Sequence, residues 1–307
     1  MKKYFIIATV AVLAAGCNQT EEVPADSNII RIEAGMTPKS RATLEAFEAG
    51  DRIGIYAVKY EGEEVPPVQV GGNSLNNEPL TYDGTAWNAG RTLYWDDATY
   101  DFYGIYPYQD ITTMEGQLFD LATDQSTAEV GDTLGGYEYN DLLWAKTEKV
   151  AQADGTVHLA FNHMMSRLVV QVVKGEEYEG DLPTDMVSHV YNTATTAKVY
   201  WQKGSLEKYL YSETKTIKMR PVDLNKETAT FDAIIVPQFI ERSTPLVEIT
   251  MQGIAYLLEY SMSFRPGYQH TLTVTLNTSP DQEKIEIDID GDISEDWTDS
   301  TETTGGV

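Results

Sequence analysis

The chain has 307 residues and a single cysteine, so it can hold one large or two ordinary domains and cannot brace them with an internal disulfide. Forty-eight acidic against 22 basic residues leave a formal net charge of −26, which repels phosphate backbones and excludes nucleic acid as a partner. Nineteen tyrosines among many threonines and valines favour half-buried strands over helices.

Residues 1–16 read as an export signal. Met1-Lys2-Lys3 supplies a basic start, residues 4–15 are apolar but too few to span a bilayer, and Ala15-Gly16 offers small residues for cleavage. The stretch Leu13-Ala14-Ala15-Gly16-Cys17 resembles a bacterial lipobox, departing from it in carrying Ala14 where a larger aliphatic residue is usual. That resemblance implies lipidation of the Cys17 thiol, with Cys17 as the first mature residue and the outer membrane as the partner of its lipid. Residues 17–27 are polar and acidic and read as a tether. Glu21 and Glu22 in it resemble the surface-export signal of Bacteroidetes lipoproteins.

Residues 28–34 alternate apolar and polar and predict a first strand. Residues 36–42 form a polar break that contains Arg41 and Ala42. Gly50-Asp51 turns into a strand over 53–58, with Ile53, Ile55 and Ala57 on one face. A Gly/Asn/Pro-rich loop covers 61–77. The short runs 80–82 and 85–87 flank Asp83-Gly84, a hairpin signature. Further strands are predicted at 92–95 and at 100–106, the latter closed by Pro107, and then at 142–145 and 156–161. Residues 165–173 set Leu168, Val170 and Val172 against Val169, Gln171 and Val173. A domain boundary falls here, dividing an N-terminal sandwich at 28–163 from a C-terminal one at 164–280.

The second half predicts strands at 196–202, 206–211, 216–219, 228–236, 246–251, 255–264 and 270–276. Short strands at regular spacing, separated by turn signals, predict an all-β fold of two tandem antiparallel β-sandwich domains rather than βαβ units. In the tail, 281–307, Ile285, Ile287 and Ile289 share one face of an alternating strand and acids take the other. Trp297 stands out in the polar stretch that follows. Such a strand either pairs within its own domain or offers its edge to another chain.

The residues suggest no catalysis. His158, His163, His189 and His270 lack the i, i+4 helical spacing of a zinc site and have no second cysteine to join them, so each reads as structural. No metal or cofactor is expected, since nucleophile elbow, phosphate loop and dinucleotide fingerprint are all missing. Asp288, Asp290, Asp292 and Glu295 do not suit calcium, because the interleaved isoleucines throw the acids out along a line instead of around a point. Trp87, Trp95, Trp144 and Trp201 lie in strand-like runs and read as core.

A series of motifs carries a resemblance. It comprises Ser40-Arg41-Ala42-Thr43 with Phe47 and Gly50-Asp51-Arg52-Ile53-Gly54-Ile55-Tyr56, then Tyr100-Asp101-Phe102-Tyr103-Gly104-Ile105-Tyr106-Pro107. Phe161-Asn162-His163-Met164-Met165-Ser166-Arg167-Leu168, Val236-Pro237-Gln238, Pro266-Gly267-Tyr268-Gln269-His270-Thr271-Leu272-Thr273-Val274 and Trp297 complete it. In this order the motifs resemble the fimbrillin-like proteins of Bacteroidetes. The resemblance implies two transthyretin-like sandwiches and a lipoprotein precursor of type V pili, a surface-exposed structural protein without enzymatic activity. It also implies a cut by an arginine-specific protease, here between Arg41 and Ala42, with 28–41 as the strand removed. Arg31-Ile32 is a second candidate bond, inside the strand. The expected partners are other pilus subunits, joined by strand exchange, and the tail with Ile285, Ile287, Ile289 and Trp297 is the expected donor strand. Such a protein would be a stalk or tip subunit of an extracellular fimbrium. The alternative is a lipid-anchored adhesin binding a glycan or host ligand, or a non-polymerising anchor.

Overall fold

The computed structural model describes residues 28–37, 47–131, 133–278, 287–295 and 297. Cys17, Arg41, Ala42 and Ile285 lie outside these residues.

The first half opens with β1 (Arg31–Met36), followed by β2 (Arg52–Lys59), β3 (Leu75–Tyr82), β4 (Trp87–Ala89) and β5 (Thr99–Tyr106). In β2 and β5 nearly every residue is buried, because sheet neighbours flank them and both faces are covered. The turn between β3 and β4 is the hairpin expected at Asp83-Gly84. Asp83 Oδ1 accepts from the Thr85 and Ala86 N–H groups, each at 2.8 Å, and Gly84 takes φ +94°, which a side chain would resist. Residues 92–95 do not form the expected strand. Among the described residues they make a single bridge, Tyr94 to Ile29. Next come β6 (Glu115–Asp120), a one-turn helix α1 (Gly136–Asn140), β7 (Leu143–Ala151) and β8 (Thr156–His163).

The second half holds β9 (Ser166–Lys174), β10 (Val187–Val190), β11 (Thr196–Tyr200), β12 (Ser205–Lys208), β13 (Ile217–Lys218), β14 (Arg220–Leu224) and β15 (Thr228–Ile235). It ends with β16 (Phe239–Ile240), β17 (Pro245–Met251), β18 (Ile254–Glu259), β19 (Met262–Ser263), β20 (Gln269–Leu276) and β21 (Ile287–Ser294). Sequence reading passes over β6, β10, β14 and β16. Each is short or mostly polar, so alternation carries too little signal.

The fold is all-β. A seven-stranded sheet runs β1-β8-β7-β5-β2-β3-β4, and a five-stranded sheet runs β14-β15-β9-β20-β21. A four-stranded sheet, β13-β10-β17-β18, and smaller sheets β12-β11-β6 and β16-β19 complete it. The sheets are not purely antiparallel as the spacing predicts: β1 runs parallel to β8, and β9 parallel to β20. Both pairs join segments far apart in sequence, so no tight turn forces the antiparallel sense.

Two cores result. One face of the seven-stranded sheet buries Ile53, Ile55, Phe102, Val157, Leu159 and Phe161. The second core gathers Leu168, Val170, Phe231 and Val274 from the five-stranded sheet and Val247 and Ile249 from the four-stranded one. Tyr56, Val58, Tyr103 and Ile105, on the other face of β2 and β5, belong to that second core too. Strand β6 pairs with β11 across the two halves of the chain. Gln125, fully buried, exchanges two hydrogen bonds with the Ile234 backbone, at 2.9 and 2.7 Å. Of the four tryptophans read as core, Trp95 and Trp201 are buried, while Trp87 and Trp144 are half-buried.

Candidate assembly interface

Strand β1 occupies a slot at one margin of the first core. On one side it pairs with β8 in parallel, from Arg31 opposite Thr156 to Met36 opposite Phe161. On the other side the chain just before it meets residues 93–95: the Ile30 N–H donates to Leu93 O at 2.9 Å, and the Trp95 N–H to Asn28 O at 2.8 Å. The alternation read in the sequence decides which side chains enter. Ile32 is buried, Ile30, Ala34 and Met36 pack on the same core, and Arg31 and Glu33 face solvent. The Trp87 indole N–H donates to Ala34 O at 3.0 Å, clamping the strand's middle. Phe47 closes the far end, edge-on to Trp87, Tyr106 and Phe161 at 4.9 to 5.5 Å between ring centres. Ion pairing adds little here, since Glu33 and His158, 3.2 Å apart, are both largely in water.

The tail occupies the margin of the other core. β21 pairs antiparallel with β20 over eight residues, from Ile287 opposite Leu276 to Ser294 opposite Gln269. Ile287 and Ile289 pack against the second core, whereas Asp288, Asp290 and Asp292 stand out in solvent. Trp297 folds back beyond the strand and is buried, stacked on His163 at 3.5 Å with the rings 13° apart. His163 in turn shares a 2.8 Å hydrogen bond with Asp141. Thus β1 covers the first core, whereas Ile287, Ile289 and Trp297 cover the second.

Below Trp297 lies a group that sequence reading missed. Asp232, fully buried, accepts from Arg167 at 2.8 Å and from Arg220 in a two-pronged bond, 2.9 Å on each prong. Arg220 also lies over the Tyr137 ring at 3.5 Å and reaches Glu138 at 3.1 Å, tying α1 to β14 and β15. The only signal for it was a charge inside two apolar strand runs, Arg167 and Asp232, which a search for catalytic motifs has no reason to pair.

The histidines divide by environment. His158 is exposed, His163 and His189 are half-buried beside Asp141 and Glu248, and His270 is buried. His270 Nε2 accepts the Arg265 N–H at 3.1 Å, and burial, helped by the Arg265 charge, pushes its pKa down to about 4. The fold therefore holds the neutral ring. Above the ordinary value of 6.5 this is without cost, but as pH falls toward 4 the unfolded chain takes a proton that the folded chain refuses. Urea unfolding at a series of pH values should show up to about 3 kcal/mol lost across that interval through this residue, at 1.36 kcal/mol per pK unit. His270→Gln should flatten that slope, and an unchanged slope would remove His270 as its source.

Among the described residues no group of three or more His, Cys, Asp or Glu side chains could hold a metal ion. Nor is any described helix long and apolar enough to cross a membrane.

The model of the family described as fimbrillin-like matches residues 40–297, most of the chain. The chain belongs to the fimbrillin-like family. A relative from Bacteroides ovatus, named "Putative fimbrium tip subunit Fim1C", is 29% identical over 205 residues, 56% of this chain. The match spans only 36% of that relative's own length. "Putative fimbrium subunit Fim1C" of Bacteroides uniformis is 25% identical over 97% of this chain and 96% of its own. Two crystal structures share the fold of this fimbrillin-like chain. A "putative cell adhesion protein" of Bacteroides ovatus superimposes with a TM-score of 0.65 at 16% identity, over 88% of this chain and 97% of that one. One of the same description from Bacteroides uniformis gives 0.60 at 20% identity, over 87% and 99%.

Proposed function

We propose that this chain is a structural subunit, stalk or tip, of a cell-surface fimbrium, assembled by removal of its first strand and strand exchange with other subunits. The observation that carries the reading is β1 itself: a strand of six residues at a sheet margin, with its apolar side chains inside the core and its charged ones outside. Taking it away leaves the β8 edge with unpaired backbone groups and a slot shaped for alternate side chains, and an incoming strand restores both. Such a head-to-tail contact does not close on itself and so builds a fibre. Family membership and the names of the relatives support the same reading.

In this scheme Cys17 carries a lipid that holds the precursor at the outer membrane, facing outward. An arginine-specific protease cuts between Arg41 and Ala42, in the stretch that follows β1, and the lipid leaves with the removed segment. The two sandwiches divide near 163 and are transthyretin-like, and no chemistry is catalysed. The donor is the tail strand with Ile285, Ile287 and Ile289 and the segment around Trp297. A second reading takes its support from β21, which pairs with its own sheet over eight residues. A tail that stays at home suits a subunit at an end of the fibre, a tip adhesin or a lipid-retaining anchor.

Purified precursor treated with an arginine-specific protease should lose a fragment ending at Arg41 and form a ladder of oligomers on a gel. Arg41→Ala should abolish the ladder, and undiminished polymerisation of that variant sinks the cleavage assignment. Deleting 284–307 separates the two positions: a stalk subunit loses self-assembly, whereas a terminal one still accepts a donor strand.

A further inference from the structure

A cleft of about 750 Å³ opens at one end of the seven-stranded sheet. The end of β2 gives it Lys59 and Tyr60, the approach to β5 gives Asp96 to Thr99, and the end of β7 gives Ala151 to Ala153. Its size falls within the roughly 300–1,000 Å³ typical of small-molecule sites. Next to it Asp101, 1% exposed, accepts two hydrogen bonds, from the Tyr60 hydroxyl at 2.9 Å and the Lys149 N–H at 3.0 Å, and pairs with the Lys146 ammonium at 3.2 Å. The bond from Tyr60 fixes its ring as a rigid wall of the cleft. A second brace holds the opposite side. Asp96 pairs with Lys59 at 2.7 Å and accepts the Tyr100 hydroxyl, which keeps its carboxyl below the usual carboxylate range, the Lys59 bond first among the causes. Hydrogen bonds and ion pairs thus hold several of the lining side chains.

The chemistry of the lining narrows what fits. It carries one ammonium, Lys59, against two carboxylates, Asp96 and Asp97, on a chain of net charge −26. Phosphates, sulfates and acidic sugars are therefore repelled. A purely apolar ligand would strand these polar groups away from water without partners. A molecule with an apolar face and many hydroxyls suits this mixed apolar and polar lining. The Tyr60 ring, the methyls of Ala98, Ala151 and Ala153 and the Thr99 methyl can meet the C–H face of a pyranose. Asp97, which makes no hydrogen bond or ion pair among the described residues, can accept from vicinal hydroxyls, and Lys59 has further N–H groups to donate. Gly62 puts no side chain across the mouth.

We propose that this cleft binds a neutral saccharide, with Tyr60 as the stacking wall, Asp97 as hydroxyl acceptor and Lys59 as donor. The inference stands on the cleft alone and is independent of strand exchange. Saturation-transfer NMR on the full chain tests it, with lactose, N-acetyllactosamine and a mannobiose as neutral probes, sialyllactose as the anionic probe and spermidine as the cationic one. At least one neutral probe should give saturation transfer with millimolar or tighter affinity, and sialyllactose should bind at least tenfold more weakly. Asp97→Ala, an exposed change that leaves the core untouched, should weaken the neutral probe roughly tenfold, the loss of one to two hydrogen bonds. Ala153→Trp should block it by filling the mouth, and unchanged circular dichroism would show that both variants fold. No signal from any neutral probe, equal binding of sialyllactose, binding of spermidine alone, or a neutral signal indifferent to both substitutions would each overturn the assignment.

Discussion

A chain beginning after residue 36 should melt roughly 10–20 °C below the full chain and bind the dye ANS at neutral pH. Strand β1 inserts Ile32 fully and Ile30, Ala34 and Met36 partly into the first core. At about 1.5–3 kcal/mol for a fully buried aliphatic side chain, their joint loss is on the order of 5 kcal/mol. A shift of about 2–4 °C per kcal/mol for a protein of this size gives the expected change in Tm. The deletion also bares Val157, Leu159 and Phe161 on β8, whose partner residues 32–36 are gone, and exposed apolar surface is what ANS reports. A synthetic peptide of residues 28–36 supplied in excess should restore the Tm and displace the dye. A peptide of 284–291 tests the donor proposal in the same assay, since a donor must fill the same slot. If the truncated chain melts like its parent and binds no dye, β1 is not integral to the core and the assembly mechanism proposed above fails with it.

Asp232→Ala is expected to cost about 3–5 kcal/mol, the range for breaking a buried ion pair from one side. Its carboxylate faces two guanidiniums, and Arg167 is only 2% exposed, so the substitution leaves a positive charge inside the second core. Arg220, one-third exposed, can turn to Glu138 and water and suffers less. The loss should show in urea unfolding as a lower midpoint. Trp297 should become more accessible to quenchers at the same time, because its ring sits 5.9 Å from the Arg167 guanidinium and relies on an ordered neighbour. Arg167→Met together with Asp232→Leu should recover much of the stability, since apolar side chains of similar volume replace a buried pair at little cost. A single Asp232→Ala variant within 1 kcal/mol of the parent would mean that this group holds nothing together.

The alternation of Ile30, Ile32 and Ala34, of Ile53, Ile55 and Ala57, and of Leu168, Val170 and Val172 is local, and it settled that these segments are strands; in β1 it also settled which side is buried, whereas β2 and most of β9 are covered on both faces. Asp83-Gly84 settled a hairpin because the turn chemistry is local too. The segment 92–95 has the composition of a strand but makes only the Tyr94–Ile29 bridge among the described residues, and composition does not record partners. The Tyr60–Asp101 and Lys59–Asp96 braces of the cleft join residues 41 and 37 positions apart, so no motif could mark them.

By itself, then, the sequence determined that this is an acidic, disulfide-free all-β chain, where its main strands run and which faces are apolar, since these follow from residue type and from neighbours two positions away. Only the tertiary structure decided who pairs with whom. It set β1 parallel on β8, sent β21 home to β20 and brought Trp297 over His163. It also buried Asp232 between two arginines drawn from distant strands. Those choices depend on closing long loops and on the fit of whole faces to one another, a competition among distant segments that no local pattern encodes.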